Sequence, residues 1–141
     1  MTFTDLLNSF HIMPQFPPSA AREAAKMPPN VDESSLSGRL NLTEKQIITI
    51  DGDDAMDFDD AVSLETLESG NYLLGVHIAD VSHYVKEGSA IDRSAFMRGT
   101  SIYLIDTVIP MLPFELSHGL CSLKPGELRL TVSVFMVITP R

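Results

Sequence analysis

The sequence is poor in cysteine and contains no long apolar run. Its 141 residues include one cysteine, Cys121, which excludes an internal disulfide framework, suits a reducing compartment and is expected to be buried and inert. No stretch approaches the roughly 20 apolar residues that a membrane-spanning helix needs. The N-terminus also lacks the basic flank and uninterrupted apolar block of a secretory signal peptide. We therefore expect a soluble cytoplasmic protein.

Basic residues are scarce relative to acidic ones. Lysine and arginine together number 10, aspartate and glutamate 19, and the formal net charge is −9. This charge argues against general electrostatic attachment to nucleic acid or to anionic membranes. A bound divalent cation can nevertheless invert the sign of the charge locally. The hydrophobic fraction of 44% excludes disorder throughout, and the length allows one domain with a hydrophobic core.

Residues 1–45 form a lead-in or linker segment that is punctuated by prolines. One short helix is predicted there over residues 19–27, with Ser19 as its N-cap and Pro28 ending it. The pattern then changes, and residues 46–141 carry mostly strand patterns. We therefore predict a mixed, strand-rich α+β fold.

Strand and turn signals delimit the elements of the second segment. KQIITI (45–50) predicts a buried strand, and two alternating runs around Gly70–Asn71 predict a β-hairpin. Ser89 and Asp92 resemble a capping box that opens a short helix. The apolar run at 130–138 predicts a final strand, and a strand this hydrophobic normally has partners on both sides. We therefore expect the chain to be a truncated part of a larger domain.

The stretch ITIDGDDAMDFDDAV (48–62) concentrates acidic side chains. Six aspartates occupy the ten positions from Asp51 to Asp60. Two carboxylates ~4 Å apart repel by about 4 kcal/mol at an effective dielectric near 20, so this concentration needs an offset. Apolar residues interleave with the acids, and Phe58 is expected to be buried and to hold its aspartate neighbours in fixed positions.

Four interpretations of this cluster compete. A solvated loop is the simplest, but it does not account for the interleaved apolar residues. An EF-hand loop is excluded, because a loop starting at Asp51 has Met56 and Val62 where glycine and glutamate are required. A carboxylate pair for general acid–base chemistry remains open, although it needs only two acids. A magnesium site accounts best for the number of acids, because two hard cations about 4 Å apart are coordinated by several carboxylates, whose charge they neutralise.

Five blocks of the sequence agree in type, order and spacing with one known family. They are TIDGDDAMDFDDAVS, YLLGVHIADVSHYVKEGSAID, RGTSIYL, VIPMLP and LCSLKPGELRLT. Together they resemble the start of the catalytic (RNB) domain of the ribonuclease II/ribonuclease R family, and its ribonuclease R branch more closely. The resemblance covers about residues 46–139. The lead-in is similar to the segment that precedes this domain in the family.

The resemblance implies processive hydrolysis of single-stranded RNA from its 3′ end, with Mg²⁺ and release of nucleoside 5′-monophosphates. The essential aspartates of the family, which would be both catalytic and metal-binding, fall on Asp51, Asp57, Asp59 and Asp60. The family's aromatic residue that stacks on the terminal base falls on Tyr103, and a tyrosine can stack on any base without reading sequence.

The resemblance also implies that parts of the family's machinery lie outside this chain. Asp53 and Asp54 fall where the family varies and are interpreted as loop acids. A catalytic arginine, a second stacking aromatic residue and the RNA-binding domains match no part of this sequence. We therefore expect the chain to need the remainder of the catalytic domain and to be inactive alone. An alternative from another class is a truncated non-catalytic relic, or a module that only binds metal or RNA.

Other candidate residues have structural explanations. His77, Asp80 and His83 could contribute to a zinc site, but its remaining ligands would have to come from elsewhere. In the resembled block they belong to the scaffold. Lys124 and Arg129 could contact phosphates, although surface basic residues usually have no specific role.

Overall fold

The chain combines short helices with a small antiparallel sheet, and the computed structural model describes residues 3–53 and 55–140. Two helices, α1 (Phe3–Ser9) and α2 (Pro18–Ala24), and a 3₁₀ turn (Glu33–Leu36) precede the first strand. The elements that follow are β1 (Ile47–Ile48), β2 (Asp60–Thr66), β3 (Tyr72–Ala79), α3 (Val81–Tyr84), α4 (Ala90–Arg98), β4 (Ile102–Tyr103), β5 (Val108–Ile109), a π-helical turn (Leu116–Leu120) and β6 (Thr131–Ile138). This mixture confirms the predicted α+β class. None of the helices described is long and apolar enough to cross a membrane.

Four strands form one antiparallel sheet in the order β1-β2-β3-β6. The predicted hairpin is confirmed as β2–β3, and its turn contains Gly70, whose φ of 79° lies in the left-handed region that favours glycine. Within the hairpin, Ser63 lies opposite Gly75 and Ala61 lies opposite His77. Strands β4 and β5 form a separate two-stranded ribbon.

The inner face of the sheet carries a cluster of hydrogen-bonded polar side chains. Ser63 and His77 are both buried, and the Ser63 hydroxyl lies 3.0 Å from Nε2 of His77. The hydroxyl of Ser133 on β6 lies 2.8 Å from Nδ1 of the same ring. Burial lowers the pKa of His77, because the charged imidazolium loses its hydration there. The imidazole is therefore held neutral between two hydroxyls.

The opposite face of the sheet carries apolar side chains that remain exposed. Its exposed members are Ile48, Leu64, Tyr72, Ile78, Val132, Val134, Met136 and Ile138. We refer to these residues as the outer face.

The hydrophobic core lies where helices pack near the end of β3. Its buried members are Ala20, Ala24, Ala79, Ile91, Leu116, Leu120 and Cys121. Helix α2 packs against α4 within this core. The thiol of Cys121 is buried, and burial raises its pKa to about 12. The prediction of a buried cysteine is therefore confirmed, and the raised pKa agrees with an unreactive thiol.

The lead-in contains more helix than the sequence predicts. The single predicted helix over residues 19–27 misses α1, which is so short that tertiary contacts, here the buried Leu7, decide whether it forms. Ser19 does not cap α2. Instead, Pro17 occupies the N-cap position without a side-chain bond and Pro18 begins the helix, where the fixed φ of proline suits the first turn.

The lead-in is bonded to later elements. Oε2 of Glu23 accepts a hydrogen bond of 2.8 Å from the backbone N–H of Ala90, the first residue of α4. At the other end of α4, Arg98 donates to the carbonyl oxygen of Gln15 over 2.7 Å. The Arg98 guanidinium also lies 4.0 Å from the centre of the Phe16 ring. Both ends of α4 are thus held by residues of the lead-in.

One prediction about the strands is wrong. The buried strand predicted over 45–50 shortens to β1, and Ile48 and Ile50 are 52% and 81% exposed. The reason is its edge position, since β1 pairs only with β2 among the residues described. The final strand is confirmed as β6, and within the described chain it pairs with β3 alone. The helix start at Ser89 is confirmed, because the Ser89 hydroxyl accepts from the Asp92 N–H at the start of α4. The Asp92 carboxylate accepts from the N–H of Gly88 and not from that of Ser89, so the reciprocal half of a capping box does not form.

Candidate functional site

The predicted catalytic residues lie in and just after the loop between β1 and β2. Asp51, Asp57 and Asp59 belong to this loop, and Asp60 is the first residue of β2. The N–H of Ala79 donates to the carbonyl oxygen of Asp59 over 3.0 Å, which extends the β2–β3 ladder by one residue. The end of the loop is therefore anchored on β3. Of the two loop acids, Asp53 is exposed and Asp54 lies outside the described residues.

A segment after the π-helical turn holds the middle of this loop. The Ser122 hydroxyl donates to the carbonyl oxygen of Met56 over 2.9 Å and accepts from the N–H of Phe58 over 3.2 Å. The N–H of Leu123 donates to the carbonyl oxygen of Phe58 over 2.9 Å. The Phe58 side chain is half-buried rather than buried as predicted. The loop is consequently fixed through its backbone as well as through this ring.

Asp59 experiences the negative potential of the whole cluster. Partial burial raises the pKa of its carboxyl group, and the charges of Asp57, Asp60 and Asp51 raise it further, in that order. The other three predicted ligands therefore all repel the charged form of Asp59. A cation placed here would relieve the repulsion among them.

Tyr103 is directly bonded to one of these acids. Its hydroxyl donates to Oδ2 of Asp57 over 2.7 Å, although the two residues lie 46 positions apart in the sequence. This hydrogen bond is the main reason that the pKa of Tyr103 is raised, with desolvation and the charges of Asp57 and Asp59 adding to it. The side chain of Tyr103 is 65% exposed, so its ring remains accessible.

A cavity of about 420 Å³ joins these groups. Asp57, Asp59 and Tyr103 line it together with Ser101 and Ser117. Asp51 and Asp60 are not part of its lining. The structure thus brings three of the five predicted site residues into one cavity, and the other two act on Asp59 through their charges.

A larger cavity lies away from the aspartates. It measures about 510 Å³ and is lined by residues of α4 and of the segment that follows α1, among them Phe10, Met13 and Met97. Its lining contains no acidic residue. The smaller cavity is therefore the candidate site.

The donor chemistry of the cluster fits magnesium. Carboxylate oxygens are the hard ligands that Mg²⁺ prefers, and the charges of Asp57, Asp60 and Asp51 add to burial in raising the pKa of Asp59. Within residues 3–53 and 55–140, no three His, Cys, Asp or Glu side chains are already arranged as a metal-binding group. A cation would therefore have to draw these carboxylates together.

The residues considered for a zinc site have structural partners. Oδ2 of Asp80 accepts from the Arg39 guanidinium over 2.7 Å, and its Oδ1 accepts from the N–H of His83 at the start of α3. Nε2 of His83 lies 3.2 Å from the Ser35 hydroxyl. His77 lies between two serine hydroxyls on the sheet. These contacts agree with a scaffold role.

Arg129 also has structural partners. Its Nε donates to the carbonyl oxygen of Ser122 over 2.8 Å, and its guanidinium pairs with the carboxylate of Glu127. Its side chain is only 7% exposed. Arg129 therefore supports the segment that holds the aspartate loop.

Sequence reasoning did not single out Ser122. It lies 64 residues from Phe58, and a lone serine at that distance carries no spacing signal. Its only sequence signal is its place in the block LCSLKPGELRLT.

This chain is similar to known proteins over most of its length. The family model described as "RNB domain" matches residues 39–141. Ribonuclease R of Thermotoga maritima is 65% identical over 124 residues, which cover 88% of this chain and 18% of that protein. The structure of Mycoplasma genitalium RNase R in complex with double-stranded RNA has a TM-score of 0.86 at 33% identity, covering 95% of this chain and 24% of that one. The structure of yeast Ssd1, a pseudonuclease, has a TM-score of 0.66 at 27% identity over 79% of this chain and 14% of its own.

These similarities agree with the sequence blocks and with the fold. The chain spans about a fifth of the length of the Thermotoga ribonuclease R that it matches. The family match includes the aspartate loop, Tyr103 and the segment around Ser122. The chain therefore belongs to the RNB domain family.

Proposed function

We propose that this chain forms the acidic part of the active site of a hydrolytic 3′–5′ exoribonuclease. The observation that carries the proposal is the cavity lined by Asp57, Asp59 and Tyr103. Removal of a terminal nucleotide needs acidic metal ligands and a surface for the terminal base within one site. The relatives named ribonuclease R, and the RNA in the Mycoplasma complex, support RNA as the substrate.

The metal ligands in this proposal are Asp51, Asp57, Asp59 and Asp60. When bound, Mg²⁺ would activate water and stabilise the negative charge that develops on the phosphate and on the leaving oxygen. The protein contributes the placement of the carboxylates. Strand β2 fixes Asp60, the ladder to β3 fixes Asp59, and the Tyr103 hydroxyl orients Asp57.

Tyr103 would stack on the base at the 3′ end of single-stranded RNA. Stacking contributes about 1–3 kcal/mol per base and is available to every base, so it positions the end without selecting a sequence. Attack of water on the last phosphodiester, with departure of the 3′ oxygen of the preceding nucleotide, releases a nucleoside 5′-monophosphate. Each cycle leaves a new 3′ end, which is compatible with processive degradation in the cytoplasm.

The isolated chain is expected to have little activity on RNA. It covers 24% of the Mycoplasma RNase R chain, and its net charge of −9 is unfavourable for holding RNA unaided. The partner it would need is the remainder of the catalytic domain together with RNA-binding domains. Robust release of mononucleotides from 5′-labelled single-stranded RNA by the 141-residue chain with Mg²⁺ would contradict this expectation.

A chimera tests the proposed function directly. The matching 124-residue stretch of Thermotoga ribonuclease R is replaced by that of this chain, and nucleoside 5′-monophosphate release is measured with Mg²⁺. We expect activity in the chimera, its loss on Asp59→Asn, and weaker binding of RNA ends on Tyr103→Ala but not on Tyr103→Phe. An inactive but folded chimera would contradict the proposal.

A second candidate function is a non-catalytic RNA- or metal-binding module. The observation that favours it is the structural similarity to yeast Ssd1, a pseudonuclease. The same chimera separates the two functions, because a pseudonuclease segment would support RNA binding without product release.

A further inference from the structure

We infer that Ser122 is a positioning residue that fixes the backbone on both sides of Asp57 and thereby places its carboxylate in the site. The hydroxyl of Ser122 bonds to the carbonyl oxygen of Met56 and to the N–H of Phe58. These two groups belong to the residues that flank Asp57. One side chain therefore restrains both peptide neighbours of a proposed metal ligand.

The hydroxyl is suited to this role because it donates one hydrogen bond and accepts another. It donates over 2.9 Å and accepts over 3.2 Å. Ser122 is 0% exposed, so water does not compete for its hydroxyl in the folded chain. Loss of the hydroxyl would leave the Phe58 N–H and the Met56 carbonyl oxygen without this partner.

Ser122 is itself held in place by its surroundings. Its carbonyl oxygen accepts from Nε of Arg129 over 2.8 Å, and the Arg129 side chain is 7% exposed. The next residue, Leu123, donates its N–H to the carbonyl oxygen of Phe58. The segment therefore forms a rigid support for the loop, with Ser122 as its side-chain contact.

The consequence for the site passes through Asp57. Its Oδ2 accepts from Tyr103, and both residues line the cavity with Asp59. A loop free to shift at Asp57 would misplace this carboxylate relative to the other acids. The effect on metal binding rests on the proposed function, whereas the effect on the loop backbone does not.

The test compares Ser122→Ala with Ser63→Ala in the 141-residue chain. Ser63 is the matched control, because it is also a buried serine with a hydrogen-bonded hydroxyl but contacts His77, away from the loop. We expect Ser122→Ala to accelerate amide hydrogen exchange at Phe58 by at least about tenfold relative to Ser63→Ala. We also expect it to raise the Kd for Mg²⁺, followed by calorimetry, by at least about tenfold.

Ser122→Cys provides a second variant if Ser122→Ala does not fold. It keeps nearly the same volume and replaces a strong hydrogen-bonding group by a weak one, so both effects should appear in the same direction. Unchanged exchange at Phe58 in the folded variants would overturn the inference. An equal loss of Mg²⁺ affinity in Ser63→Ala would also overturn it, because the loss would then reflect general destabilisation.

The two hypotheses can fail separately. If the wild-type chain shows no Mg²⁺ binding while Ser122→Ala accelerates exchange at Phe58, the proposed metal site fails and the positioning of the loop by Ser122 is supported. If Mg²⁺ binds equally to wild type and to Ser122→Ala, the positioning inference fails and the metal site stands.

Discussion

The environment of Asp59 works against folding while no cation is bound. The pKa of Asp59 is raised by partial burial and by three neighbouring carboxylates, so its ionised form is disfavoured in the folded chain. A group whose folded-state pKa is raised in this way lowers stability as the pH rises through that pKa. Residues that act in a site are often arranged at such a cost to stability.

Asp59→Asn should therefore stabilise the metal-free chain at neutral pH. The amide removes one charge from the cluster and keeps nearly the same shape, so we expect Tm to rise by a few degrees. Mg²⁺ should raise the Tm of the wild type but not that of the variant. Asp106→Asn is the control, since Asp106 is an exposed acid outside the cluster, and thermal unfolding with and without Mg²⁺ is the measurement. An equal response of both variants to Mg²⁺ would argue against a site at Asp59.

His77 should make folding stability depend on pH on the acid side of neutrality. Its pKa is lowered in the folded protein by burial, so below an unfolded-state value near 6.5 the unfolded chain binds more protons than the folded one. The free energy of unfolding should consequently fall as the pH is lowered from about 7.5 to about 5. His77→Gln should reduce this dependence, whereas His11→Asn, at an exposed position with φ of 57° that asparagine tolerates, should not. Denaturant titrations at several pH values measure the difference.

At the scale of elements, the β2–β3 hairpin depends on a residue without a side chain. A Cβ at Gly75 would lie 2.5 Å from the Ser63 hydroxyl and 2.9 Å from Nε2 of His77. The close approach of Ser63 and His77 on the inner face therefore requires glycine at this point of β3.

Gly75→Ala should destabilise the protein by about 1–3 kcal/mol, because the added methyl group must displace a buried hydrogen-bonded pair. The matched control is Gly52→Ala, where the added Cβ meets nothing within 4 Å. Chemical denaturation measures both variants. Equal unfolding free energies for the two variants would contradict the packing described here.

The sequence predicted those elements whose ends are set by nearby turn or cap residues. The hairpin follows from alternation and from Gly70, and the start of α4 follows from the Ser89 cap. Helix α1 and the exposure of β1 were not predictable, because tertiary contacts and sheet position decide them. The acidic cluster was visible in the sequence, and the resemblance selected four of its aspartates. The contacts of the cluster with Tyr103 and Ser122 could not be predicted, because they join residues 46 to 66 positions apart.

At the scale of the whole molecule, the outer face is an extensive exposed apolar surface. Val132 and Val134 on β6 are each 57% exposed, and β6 has a partner on one side only among the residues described. Soluble monomers rarely expose contiguous apolar patches of this kind, and an unpaired strand edge favours association with other chains.

The isolated 141-residue chain should therefore self-associate in a concentration-dependent manner. Val134→Lys places a charge in the middle of the outer face and should shift the chain toward the monomer. Gln46→Lys adds the same charge at an exposed position before β1 and should have little effect. Sedimentation velocity over a range of concentrations distinguishes these outcomes, and a monomeric wild-type chain would contradict the prediction.

The hydrogen bonds between the lead-in and α4 determine where this chain can be joined to the chain of a relative. The family match begins at residue 39, yet Glu23 binds the first amide of α4 and Gln15 receives the arginine at its other end. A recombination junction placed at the family boundary would separate the helix from both of these bonds. Junctions placed before Gln15 would instead keep both bonds, so the later part of the lead-in has to be exchanged together with the matched domain.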